Sequence, residues 1–172
     1  MSEYVELHCH SYFSLLDGAS SPEALVERAA ALGYRSLALT DHDGLYGAVR
    51  FWRAAQERGI KPIIGAELTL SDGQHLTLLA ETQSGYASLC RLISMGQLAG
   101  QKRQPQLTLD TLAECARGLL YLSGCRKGAV ASALLAKDRE SADLAAGHLR
   151  DLFGPEHFWI ELQRHFLPTD AG

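Results

Sequence analysis

Short apolar runs alternate with longer amphipathic stretches along the chain, and the two periods predict two kinds of element. Residues 4–7, 36–39, 61–70, 75–79, 119–122 and 158–162 have the length and composition of strands. Helices are predicted over residues 22–32, 44–58, 86–98, 108–117, 129–136 and 139–153. Their ends carry local signals. Ser21-Pro22-Glu23 offers an N-cap, a proline at the first helical position and an early carboxylate, and Gly33 and Gly59 stand where the first two helices should stop. Leu25, Ala29 and Leu32 form the expected apolar stripe of the first helix. Val49, Trp52 and Ala55 form that of the second, and Leu89, Leu92 and Ile93 that of the third. Ser71-Asp72-Gly73-Gln74 reads as a hairpin turn that returns residues 75–79 beside the preceding strand. Residues 100–106, with Lys102 and Arg103, are linker-like but too short to divide domains. The alternation predicts an α/β protein with a mainly parallel sheet, formed as one domain over residues 1–172.

The polar residues change this picture most. His8 and His10 flank Cys9 at the end of the first predicted strand, where alternation sends both imidazoles to one face and Cys9 away from it. Thr40-Asp41-His42-Asp43 ends the second strand, Glu67 lies within the third, and Ser123-Gly124-Cys125 closes the fifth. In parallel α/β barrels the C-terminal ends of the strands carry the active site, because loops from many strands converge there. A single switch-point crevice of an open sheet would serve fewer of these positions. Imidazoles, carboxylates and a thiolate together suit a divalent metal such as zinc, manganese or iron.

Each candidate also has an ordinary structural role. Asp41 and Asp43 can cap the following helix, and Asp41 can instead orient an imidazole or brace its loop. Asp17, in Leu-Asp-Gly-Ala, can be a turn residue. Glu67 faces solvent if Ile64, Ala66 and Leu68 are the buried face of their strand; turned inward, it needs a cation or hydrogen-bond partners. His75 can be a surface histidine and Cys125 a small buried hydrophobe. His148 reads as exposed on a helix, His157 as a turn residue, and His165 as a position at the barrel mouth. Cys90 and Cys115 read as packing. No phosphate-binding glycine loop, dinucleotide fingerprint or nucleophile elbow occurs.

Composition sets outer bounds. At 172 residues, 47% apolar and 21% charged, the chain is an ordinary globular sequence able to bury a core. Its net charge of −4 leaves no basic footprint for sequence-independent nucleic-acid binding. No stretch approaches the run of about 20 apolar residues that spans a bilayer, and Met-Ser-Glu-Tyr lacks the features of a signal peptide. The expected location is cytoplasmic, away from membranes, with the four cysteines as reduced thiols.

Together, His8-Cys9-His10-Ser11, Leu16-Asp17-Gly18-Ala19, Thr40-Asp41-His42-Asp43-Gly44, Gly65-Ala66-Glu67 and the run from His75 to Ala80 resemble the PHP (polymerase and histidinol phosphatase) superfamily. The likeness is greatest to the N-terminal PHP domain of bacterial C-family DNA polymerases, the polymerase III alpha subunit and its error-prone relative. It continues through residues 81–86, Leu122-Ser123-Gly124-Cys125 and Ile160-Glu161-Leu162-Gln163. The resemblance implies a distorted (β/α)7 barrel, TIM-like, holding up to three divalent metals. Position by position it makes His8, His10, Asp17, His42, Glu67, His75 and Cys125 metal ligands, with Glu67 bridging two ions. Glu67, His42 and Asp17 are expected nearest the chemistry. The implied activity is metal-dependent phosphoester hydrolysis, including 3′-5′ exonuclease proofreading, with a phosphate or phosphoester at the metals. Implied partners are DNA, through the rest of a polymerase, and the other polymerase domains.

One family motif, an Asp-x-His on a late strand, has no counterpart, since Asp170 has no histidine two residues on. The expectation is therefore a barrel cut short of its last strands, from a truncated or split polymerase, with partial metal occupancy. Two other readings remain: a scaffold domain in which metal serves stability, and a free-standing phosphatase of the histidinol-phosphatase type. The polymerase-like run from His75 to Ser94 argues against the second.

Overall fold

The computed structural model describes residues 4–101, 104–115 and 117–164. Lys102, Arg103, His165 and the tail containing Asp170 lie outside the described residues. Five strands form one sheet: β1 (Ser36–Leu39), β2 (Lys61–Thr69), β3 (His75–Ala80), β4 (Leu119–Leu122) and β5 (Phe158–Trp159), in sequence order across it. The helices are α1 (Pro22–Ala31), α2 (Ala48–Arg58), α3 (Gln83–Ala99), α4 (Leu109–Glu114), α5 (Ala129–Leu135) and α6 (Arg139–Phe153). No described helix is long and apolar enough to cross a membrane.

Cap chemistry sets several boundaries. The Ser21 side chain accepts from Ala24 N at the start of α1, and Gly59 ends α2 in the left-handed region at φ 68°. Thr82 caps α3 by accepting from Gly85 N, so that helix starts three residues before the predicted 86. α2 begins at Ala48 rather than 44, and α4 stops at Glu114. The predicted strand at 4–7 reduces to one parallel bridge between Glu6 and Leu37. That at 158–162 keeps only two residues.

The β1–β2 and β4–β5 pairings are parallel, while β3 runs antiparallel to both neighbours. The hairpin at residues 71–74 is the reason: with Gly73 at φ 84°, it reverses the chain so that Thr69 pairs with His75. Parallel pairing is thus confined to the flanks.

Both faces of the sheet are covered. Leu37 and Leu39 pack outward with Val26, Ala29, Phe51 and Ala55 of α1 and α2. Ala66, Leu68, Leu76, Leu78, Leu119 and Tyr121 pack with Leu89 and Leu92 of α3 and with Phe153 of α6. The other face carries Ala38, Ile63, Leu79, Leu120 and Leu122. Two predicted stripes shift by one residue. In α2, Phe51 is fully buried while Val49 and Trp52 are exposed, and in α1 Val26 replaces Leu32. Adjacent stripes of each helix are both apolar, and the tertiary partner selects between them.

The sheet curls. Its first bridged residue, Glu6, and its last strand, β5, stand at opposite ends of the strand order, yet the segments that follow them meet at His8 and Glu161. Strand alternation places Glu67 on the same inner face as Ile63, and His75 and Thr77 with Leu79. The enclosed face is apolar at one end and polar at the other, and the polar end holds the site.

Candidate metal centre

Glu67 is the hub. It is 1% exposed, although it lies in a strand whose alternate residues Ala66 and Leu68 are also buried. The solvated-face reading of Glu67 fails because the curled sheet covers both sides of β2. Its Oε2 lies 2.9 Å from His42 Nδ1, 3.4 Å from His10 Nε2 and 3.7 Å from His8 Nε2, and its Oε1 lies 3.0 Å from His75 Nδ1. His8 and His10 bring their Nε2 atoms within 3.1 Å of each other, as i, i+2 alternation predicts. His42 Nε2 in turn lies 2.8 Å from Asp17 Oδ2.

His75 reaches this cluster because β3 is antiparallel, which brings its first residue beside the C-terminal end of β2. It is buried rather than a surface histidine. Cys125 Sγ stands 3.6 Å from His75 Nδ1. All seven candidate ligands line one open cleft of about 470 Å³, together with Glu6, Cys9, Lys127 and Gln163.

The loops that carry the ligands are tied to the strands. Asp41, 1% exposed, accepts from Ser11 N at 2.7 Å, Ser11 Oγ at 2.8 Å and Ser14 Oγ at 2.7 Å. It thus braces the loop that follows His10. Asp43, in the left-handed region at φ 47°, accepts from Thr69 N and Thr69 Oγ1 at 2.8 and 2.9 Å, anchoring the segment after His42 to β2. Backbone bonds from Glu67 N to Asp41 O and from Asp43 N to Glu67 O hold His42 in register with Glu67.

The donor set fits a divalent cation. Both Glu67 oxygens are buried without a hydrogen-bond partner, although the ring nitrogens of His42 and His75 stand 2.9 and 3.0 Å from them as ion-pair contacts. A buried carboxylate with uncommitted oxygens, ringed by imidazoles, is costly unless a cation or protons compensate it. Among the described residues, three groups place their ligating atoms within 4.8 Å of one another: His8, His10 and Glu67; His10, Asp17 and His42; and His42, Glu67 and His75. His10, His42 and Glu67 are each shared between two of these groups.

Electrostatics follow from that geometry. Burial alone would raise the Glu67 carboxyl, but His42, His75, His8 and Cys125 around it outweigh burial and hold it well below the usual carboxylate range. Burial lowers His8, yet Glu161 and Glu67 more than reverse this and lift it to about 9. His42 is raised, chiefly by Glu67, whereas burial and the neighbouring His42 and His8 lower His10. Burial and Glu67 push the Cys125 thiol up to about 11.

Glu161 and Lys127 are site residues that no local sequence pattern singles out. Glu161 lies 2.6 Å from His8 Nδ1, and Lys127 lines the cleft. The Ile-Glu-Leu-Gln string was the only signal for the first. The second follows Cys125 by two residues in an otherwise ordinary loop.

The PHP domain family model matches residues 6–165. The error-prone DNA polymerase of Mycolicibacterium paratuberculosis (strain ATCC BAA-968 / K-10) is 48% identical over 179 residues, which cover 97% of this chain and 16% of that protein. DNA polymerase III subunit alpha of Treponema pallidum (strain Nichols) is 38% identical, again covering 97% of this chain and 16% of that protein. The chain thus spans 16% of the length of these curated relatives. Among solved structures, the lesion-specific endonuclease PfuEndoQ from Pyrococcus furiosus matches with a TM-score of 0.55 at 19% identity, covering 87% of this chain and 39% of that chain. This last likeness is one of fold.

Proposed function

Because the chain belongs to the PHP domain family, we propose that its Glu67-centred cluster binds divalent metal ions and hydrolyses phosphoesters as part of a bacterial DNA polymerase. The polymerase is of the polymerase III alpha or error-prone type, the reaction is 3′-5′ exonucleolytic, and the setting is the cytoplasm. The observation that carries this reading is the convergence of four imidazoles on a buried carboxylate whose two oxygens are uncommitted. The polymerase assignment is supported by the identity to polymerases across 97% of this chain. DNA and the remaining polymerase domains are the partners it implies.

His8, His10, Asp17, His42, Glu67 and His75 would hold the ions, with Cys125 beside His75 as a further donor. Zinc, manganese and iron all suit such a set. When bound, the ions supply a nucleophilic water at neutral pH and offset charge on the phosphate oxygens. The protein's own groups do the rest. Glu67 would hold the ions from the buried side of the cleft, its carboxylate being shielded from solvent. Asp17 stands half-exposed at the opposite side of His42, where the cleft opens. Lys127, which lines the cleft, is the cation that would attract an incoming phosphodiester.

The test strips the purified protein with a chelator, reloads it with zinc or manganese, and follows release of nucleotides from the 3′ end of single-stranded DNA. Activity should return with metal and disappear in His10→Ala. Hydrolysis unaffected by His10→Ala contradicts the proposal. A metal-dependent rise in melting temperature without hydrolysis would assign the domain a scaffold role instead.

A further inference from the structure

His8 is held from two sides. Its Nε2 faces Glu67 Oε2 and His10 Nε2. Its Nδ1 faces Glu161 Oε1 at 2.6 Å, with Thr77 Oγ1 and Gln163 Nε2 farther off at 3.3 Å each. The side chains of His8 and Glu161 are 7% and 8% exposed, so neither exchanges its partner freely for water. Glu161 is itself fixed. Its backbone N donates to Ser123 Oγ at 2.9 Å, and Gln163 Nε2 donates to its Oε1 at 2.7 Å. Its other oxygen is buried with no hydrogen-bond partner, so the carboxylate is held through Oε1, which His8 Nδ1 and Gln163 Nε2 share.

An imidazole offers a metal one lone pair, and which nitrogen presents it depends on what the other nitrogen does. Nδ1 of His8 has one close neighbour, and that neighbour can only accept. We propose that Glu161 is a positioning residue of the metal centre: it accepts the Nδ1–H hydrogen bond of His8, fixes the ring, and commits Nε2 to the ion shared with His10 and Glu67. The inference rests on the metal-centre reading above. It goes beyond it by making a residue 153 positions away, just past the last strand, decide how the first ligand presents itself. Thr77 Oγ1, at 3.3 Å, is a longer and uncharged acceptor, and Gln163 Nε2, at 3.3 Å, can only donate, so neither replaces the close carboxylate contact of Glu161.

The experiment uses zinc and protein labelled with ¹⁵N at histidine, the His8 signals being assigned with His8→Gln. Long-range ¹H–¹⁵N spectra of the zinc-bound wild-type protein should show His8 with Nδ1 protonated and Nε2 bound to zinc. Glu161→Ala should lower zinc affinity about 10- to 100-fold, and Glu161→Gln, which keeps the volume and a carbonyl acceptor, should lower it less. Melting of the metal-free variants shows whether the fold persists; if Glu161→Ala does not fold, Glu161→Gln and the wild-type spectrum decide. A wild-type spectrum with Nε2 protonated, or a folded Glu161→Ala with zinc affinity within about twofold of wild type, overturns the assignment of Glu161 alone. Failure of the wild-type protein to bind zinc overturns the metal-centre reading with it.

Discussion

His42 and Glu67 meet twice: their backbones form a parallel bridge, and His42 Nδ1 lies 2.9 Å from Glu67 Oε2. The backbone bridge sets the side-chain contact, so the ligands belong to the sheet rather than to loose loops. Glu67 takes part in two of the three donor groups and Asp17 in one. Zinc should therefore raise the melting temperature of the wild-type protein and of Asp17→Asn, and raise that of Glu67→Gln much less, since only the His10, Asp17 and His42 group survives that change. An equal zinc-induced rise in Glu67→Gln would show that the carboxylate is not a ligand.

Asp41 should matter to stability independently of metal. Asp41→Ala leaves the buried donors of Ser11 and Ser14 without their acceptor. Hydrogen bonds to a charged group, once lost in a buried setting, cost about 3 kcal/mol. Urea unfolding of the metal-free protein measures this directly. A change below about 1 kcal/mol would mean the loop after His10 is held by other contacts.

Acid should weaken metal binding. Burial lowers the His8 imidazole, but Glu161 and Glu67 overcome it and raise the pKa from 6.5 to about 9; His42 is raised as well, by Glu67 first. Zinc binds only the neutral ring, so its affinity should climb as pH rises from 6.5 toward 9, with proton release visible by calorimetry in two buffers. The metal-free fold responds in the opposite sense. A group with a raised folded pKa contributes its stability below the unfolded value and loses it as pH rises through the folded one. The metal-free melting temperature should thus fall between pH 6.5 and 9. A flat profile contradicts the His8–Glu161 and His42–Glu67 pairings.

Gly124 is a packing requirement of the site. Its φ is 82°, and a Cβ there would stand 2.6 Å from the carbonyl oxygen of His75. Gly124→Ala adds a left-handed backbone cost of about 1 kcal/mol and must push His75 or the 123–128 loop aside. Both the melting temperature and the zinc affinity should drop. Loss of stability with unchanged zinc affinity would place His75 outside the ligand set.

Much of this arrangement was legible in the residues. The bounds of β1, β4 and α6 match those the pattern predicts, because caps and turn residues mark them. The His8/His10 pair follows from strand alternation alone. What the pattern hid depends on closure of the sheet. Glu67 looked able to face solvent because its strand neighbours Ala66 and Leu68 are apolar; only a second covered face makes it buried. His75 looked like a surface residue until the antiparallel β3 placed it against β2. Glu161 meets His8 only because the sheet curls its two ends together, a contact across 153 positions that no local pattern encodes. Val49 and Trp52 lost the core of α2 to Phe51 because both stripes are apolar and the neighbouring α1 selects one.

The most direct measurement is the zinc content of the 172-residue chain after saturation and exhaustive dialysis, determined by elemental analysis against protein concentration, with Glu67→Ala and His8→Ala in parallel. At least one zinc should be retained per wild-type chain, with a clear loss in both variants. A wild-type protein that retains no more zinc than Glu67→Ala would contradict the metal-centre reading.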